Sequence, residues 1–208
     1  MKGGRLAIAA SAAVLLGAIG LAAPVGATGG RLPAPTYGKT VNLQRVSGVV
    51  RVRPPGAGGL SRLRGARQVP VGTVVDVTGG RVRLTSAADA GSSQSADFFY
   101  GEFRVTQPNG GRPITVLRLI ESLVCGPLRK RAGASRAQAH GLWGSGKGNF
   151  RTVGDHGAAT VRGTIWWSRD RCDGTLFRVK RGVVAIRDFS RHRTVRIRAG
   201  MHYLAPAG

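Results

Sequence analysis

The stretch Gly174–Arg187, GTLFRVKRGVVAIR, constrains the fold more than any other. Leu176, Arg178 and Lys180 alternate with Phe177, Val179 and Arg181, and after Gly182 the alternation resumes at Val184 and Ile186. A strand sends successive side chains to opposite faces, so a period of two describes one wet and one buried face. Gly182 stands where a three-residue hairpin loop needs positive φ, which glycine tolerates without a Cβ penalty. The segment therefore reads as a β-hairpin turned at Gly182. A related unit lies upstream in Gly72–Leu84, GTVVDVTGGRVRL. Its Gly72, Thr73, Val77, Gly80, Val82 and Leu84 keep the offsets of Gly174, Thr175, Val179, Gly182, Val184 and Ile186, with Gly80 in the turn position. Self-similarity of this kind predicts two related hairpin units.

The remainder repeats the theme. Gly48–Arg53, Phe98–Tyr100, Glu102–Gln107, Ile114–Ile120, Phe150–Thr152, Ala158–Val161, Thr194–Arg198 and His202–Leu204 have strand character. Pro54-Pro55-Gly56, Pro108-Asn109-Gly110-Gly111 and Ala199-Gly200 break them as turns. Helix-period patterning is almost absent, and Ser135–His140 holds one turn of helix at most. Many short strands between Gly and Pro predict an all-β fold, antiparallel strands in a sandwich or β-roll. The expected organisation is a signal peptide over 1–27, a linker over 28–45, a first β-rich segment over 46–124, a basic Gly-rich connection over 125–149 and a second β-rich segment over 150–208. Trp143, Phe150, Trp166, Trp167, Phe177 and Tyr203 make the second half the better-filled core.

Lys2 and Arg5 precede an apolar run from Leu6 to Ala23, then Pro24 and the small residues of Val25-Gly26-Ala27. This is the layout of a secretory signal. The run is marginal for a membrane span, which needs about 20 apolar residues, so the alternative is an uncleaved anchor. Export bears on the two cysteines, Cys125 and Cys172, which have no CxxC or metal-site neighbours. In an oxidising compartment a lone pair is most simply a structural disulfide; two buried thiols are the other reading.

Lys and Arg number 32 against 9 acids, a formal charge of +23. Such a field attracts polyanions and weakens with salt. Export points to anionic cell-wall polymer or lipid head groups, and nucleic acid is not expected because the aromatics do not interleave with the basic residues. A coding bias toward Arg on wet strand faces is the blander account. The candidate polyanion-binding set is Arg129, Lys130, Arg131, Arg136 and Lys147. It neighbours Trp166 and Trp167, of which a regular strand turns one away from the core. That outward ring reads equally as a polymer contact and as an edge under the basic loop.

No residue set announces a reaction, a cofactor or a metal. Asp170 and Asp173 are three apart, but Asp173-Gly174 is a turn dipeptide, and glycosidase carboxylates must face across a cleft. Asp155-His156 has no nucleophile in a recognisable motif, and Ser145 lacks the rest of a nucleophile elbow. His140, His156, His192 and His202 are scattered, and Gly141–Gly148 lacks the strand–GxxxxGK–helix frame of a phosphate loop.

Val161–Trp166, Gly174–Val179, Gly182–Ile186 and Val195–Gly200 together resemble the FecR-type domain, over residues 150–204. The shared pattern is an Arg-Gly-Thr start, a Thr-led strand ending in Val, a Gly-x-Val strand and a closing Gly. Residues 46–86 look like a diverged second copy. The resemblance implies an exported, all-β, non-catalytic binding or structural module of the bacterial envelope. In the signalling members of that family the domain senses or relays a state through a membrane protein, so an envelope protein partner is the rival expectation. Those members carry an anti-sigma region before the hydrophobic segment, whereas few residues precede Leu6, and the cysteine pair lies outside the core pattern. These departures liken the chain to the stand-alone exported members of the family.

Overall fold

The computed structural model describes residues 32–89, 91–110, 113–120, 123, 125 and 141–208. The segment assigned above to a signal peptide, with Thr28–Arg31 of the linker, lies outside them. Leu32–Gly208 is one compact unit. The described residues form strands and turns and no helix. The strands of the upstream half are β1 Thr40–Gly48, β2 Arg51–Arg53, β3 Ser61–Arg62, β4 Arg67–Pro70, β5 Val74–Asp76, β6 Gly80–Ala87, β7 Ser93–Phe99, β8 Glu102–Thr106 and β9 Thr115–Leu119. Those of the downstream half are β10 Leu142–Val153, β11 Gly157–Arg171, β12 Gly174–Arg181, β13 Val183–Asp188, β14 Arg193–Arg198 and β15 His202–Pro206.

The long antiparallel pair β10–β11 is the spine, with a register shift between Lys147 and Phe150. There the sheet forks. Trp143–Lys147 pair antiparallel with β7, while Phe150–Val153 pair in parallel with β9. The far edge of β11 forks too, between β12 beside Ile165–Arg171 and β13 beside Gly157–Val161. One layer runs β4-β1-β6-β7-β10-β11-β12-β15, and the other runs β3-β2-β5-β8-β9-β10-β11-β13-β14. This is a sandwich-like all-β fold whose corners are strands that pass from layer to layer through bulges. Among the described residues, the β9–β10 pair is the departure from an all-antiparallel arrangement.

The two hairpins expected at Gly182 and Gly80 are not formed. β12 and β13 do not pair with each other; both lie along β11, as one strand bent at Gly182. The reversal falls instead at Cys172-Asp173, where Arg171 faces Gly174. Upstream, β5 lies against β8 and β6 against β7, so Val74–Ala87 is likewise one bent strand beside a bent ribbon. Gly182 has the expected positive φ, +84°. Gly80 does not; it faces Gly48, whose φ is +62°, and a Cβ on Gly80 would strike the Val49 carbonyl. The repeated layout is nevertheless informative. Each unit carries the chain round a corner, and a bend gives the same alternation, glycine, alternation as a reversal.

Strand alternation delivers the core. Phe98 of β7 meets Phe103 of β8 at 5.5 Å, Phe150 of β10 at 5.6 Å and Trp166 of β11 at 6.0 Å between ring centroids. These rings come from both halves of the chain, and one buried cluster spans both layers. At the fork, where β10 leaves β7 for β9, ladder partners are lost and side chains replace them. The Gln94 amide accepts from the Asn149 N–H at 2.6 Å and donates to Thr115 Oγ1 at 3.1 Å. Gln107 donates to the Ala87 carbonyl at 2.9 Å. Cys125 and Cys172 form a disulfide, with an S–S distance of 2.05 Å.

Candidate ligand-contact site

Alternation along β11 buries Trp166, 1% exposed, and turns Trp167 to the outer face. Trp166 donates from Nε1 to Thr152 Oγ1 at 3.2 Å and belongs to the core, which removes it as a surface aromatic. Trp167 instead joins a row across the first layer, because register places Arg81, Phe99, Trp143, Trp167, Arg178 and His202 opposite one another on successive strands. The Arg81 guanidinium lies over Phe99 at 4.8 Å. Phe99 and Trp143 are parallel at 6.1 Å, Trp143 meets Trp167 at 6.3 Å, and Arg178 covers Trp167 at 5.3 Å. The row is thus one stacked pair and one tilted pair with a cation at each end, each cation–ring contact contributing about 0.5–1 kcal/mol at this exposure.

Beside the row is a groove of about 330 Å³ lined by Trp143, Arg178, Val179, Lys180, Gly200, Met201 and His202. Gly200, at φ +83°, lets the β14–β15 connection fold against β12. Its N–H donates to the Val179 carbonyl at 2.9 Å, and the Val179 N–H donates to the Met201 carbonyl at 3.1 Å. That clamp fixes the groove wall. No carboxylate lines it, while Arg178 and Lys180 are exposed and Met201 is 44% exposed. An indole ring, an apolar wall and two cations suit a ligand with rings and negative charge.

Lys147 is exposed on β10, four residues along from Trp143 and on the same face, about 13 Å away at strand rise. Arg129, Lys130, Arg131 and Arg136 lie outside the described residues. The sequence reading missed Phe99, Arg81, Arg178, Met201 and His202, and placed Trp143 in the core where it is half-buried on the outer face. Period-two alternation could have faced each of them outward. Their assembly into one row depends on register between distant strands.

The two loop carboxylates part company. Asp170 is 4% exposed and accepts from the Thr175 hydroxyl and, at 3.0 Å, from the Asp155 N–H. Burial pushes its carboxyl above the usual range, and those hydrogen bonds pull partly back. Asp173 sits at the exposed β11–β12 turn in a bidentate pair with Arg171, at 2.8 and 2.7 Å. Asp155 is exposed and pairs loosely with Arg118 at 4.0 Å, while the His156 N–H donates to Thr175 Oγ1 at 3.0 Å.

No protein-family model matches the chain, no curated protein is significantly similar to it, and no solved structure matches it.

Proposed function

We propose that this protein is an exported, non-catalytic module of the bacterial cell envelope that binds an anionic polymer at the Trp143–Arg178 groove. The observation that carries the reading is the groove's composition: Trp143, Arg178 and Lys180 with no carboxylate among the lining residues. The Cys125–Cys172 disulfide supports an oxidising compartment, since such bridges persist outside the cytoplasm. A FecR-type reading of residues 150–204 belongs to the same proposal, and its support is the pattern of residues together with an all-β fold.

The test is titration with polygalacturonate against neutral dextran, followed by Trp fluorescence and calorimetry at 0.15 M salt. Trp143→Ala and the pair Arg178→Gln with Lys180→Gln should each weaken polygalacturonate binding by about tenfold. The Arg178→Gln, Lys180→Gln pair should keep a melting temperature close to the parent's, because both side chains are exposed. Trp143→Ala loses ring contacts with Phe99 and Trp167 and should melt lower, so its affinity is read well below its midpoint. Unchanged affinity in both variants would remove the groove from the proposal, and equal binding of dextran would remove the requirement for charge.

A further inference from the structure

A second groove, also about 330 Å³, lies between β1 of the first layer and β3 at the edge of the second, and is lined by Arg45, Arg62, Leu63 and Arg64. Its construction is local. β1 changes register against β6 between Arg45 and Ser47, leaving Val46 as the extra residue. Bulges of this kind re-aim the neighbouring side chain. Leu63, 2% exposed, is drawn into the core, and its N–H donates to the Val50 carbonyl at 2.9 Å. Arg62 and Arg64 on either side of it are therefore sent outward together.

Three guanidiniums on one groove repel one another, and nothing among the described residues neutralises them. The nearby carboxylate, Asp76, pairs with Arg51 at 3.3 Å, and Arg51 is the cross-strand neighbour of Arg62. Arg45, Arg62 and Arg64 are exposed and have no ion pair or side-chain hydrogen bond among the described residues. Like charges on adjacent positions are destabilising, and a bound anion offsets that cost. Arginine forks bind oxyanions by paired N–H donors, where lysine would act as a point charge. A carboxylate offers two oxygens to three forks; a terminal phosphate offers three, with a charge between about −1.5 and −2 at neutral pH.

We propose that the Arg45–Arg62–Arg64 groove is a binding site for a terminal phosphate group on a soluble, envelope-accessible molecule. The site is separate from the Trp143 groove and stands or falls without it.

The experiment follows the arginine Nε–H resonances of the full chain during titration with inorganic phosphate, glycerol phosphate and acetate at matched ionic strength. Both phosphates should move the Arg45, Arg62 and Arg64 resonances at concentrations where acetate does not. Each of Arg45→Gln, Arg62→Gln and Arg64→Gln should weaken glycerol phosphate binding by about tenfold. The matching Arg→Lys variants should keep charge yet recover only part of the affinity. Binding should tighten from about pH 5 to about pH 7.5 as the second phosphate proton leaves while the guanidiniums stay charged. Trp143→Ala should leave these responses intact, so failure of the polymer reading would not touch them. Equal potency of acetate, unmoved resonances, or binding to phosphatidic acid vesicles without binding to soluble glycerol phosphate would each overturn the proposal.

Discussion

Asp188 shows how a single carboxylate can hold a corner of this fold. It is fully buried at the end of β13 and accepts from the Tyr203 hydroxyl at 2.6 Å, the Arg191 N–H at 2.9 Å and the Ser190 hydroxyl at 3.0 Å. Burial alone would raise its carboxyl; the hydrogen bonds and the Arg191 charge outweigh it and bring the pKa down to about 2. A carboxylate depressed in the folded state contributes stability that is complete above its unfolded value and is lost as pH falls through the folded one. Asp188→Asn should therefore cost about 2 kcal/mol near pH 7 and should flatten the stability loss between about pH 5 and pH 2, as measured by urea unfolding. Asp170 has the opposite sign. Its raised pKa means that the ionised form is disfavoured by folding, so its contribution is present at low pH and fades as pH rises through the folded value. Asp170→Asn should cost less at pH 7 than Asp188→Asn, and the reverse order would show that burial is not the stronger influence on Asp170.

At the scale of the element, the informative glycines are those at corners. Gly80 and Gly48 face each other where β6 and β1 leave the first layer, and there is no room for a Cβ between Gly80 and the Val49 backbone. Gly80→Ala should lower stability by about 2–4 kcal/mol, since backbone atoms on both sides must move. Gly58→Ala, with nothing within 4 Å, should change it by no more than about 0.5 kcal/mol. Equal effects in chemical denaturation would contradict the tight corner. The same glycines mark the limit of what was legible along the chain. Alternation before and after Gly182 located β12 and β13, and glycine located the break between them. Whether the chain turns back or bends onward depends on β11, which runs past both segments and pairs with each. A strand's partner cannot be read from its own residues.

At the scale of the molecule, the Cys125–Cys172 bridge ties the end of the upstream half to the β11–β12 turn, across 47 residues of sequence. Closing a loop of that length in the unfolded chain contributes about 4 kcal/mol in the chain-entropy model. Replacing both cysteines by Ser should remove a stabilisation of that order, visible as a lower urea midpoint with an altered slope, whereas an unchanged midpoint would show that the bridge adds nothing to the layers it joins. The joint core has the same consequence for function. Phe98, Phe103, Phe150 and Trp166 interlock halves that read as separate segments, so the outer row draws Arg81 and Phe99 from one half and Trp143, Trp167 and Arg178 from the other. The disulfide partners, the outward face of one Trp and the basic character of the surface were all available in the sequence. The row, both grooves and the switch of Trp143 from core to surface were not.

What the residues determined unaided is the local part: strands in place of helices, the inner and outer face of each, and the sites where the backbone must break stride. Those follow from a side-chain period of two and from the space glycine leaves, which a short stretch of chain carries within itself. The tertiary structure alone decided which strands became neighbours and in what register. Arg45 reached Arg62 and Arg64, and Phe99 reached Trp143, only because distant strands paired in one alignment and not in another shifted by a residue, which would have turned every one of those side chains to the opposite face.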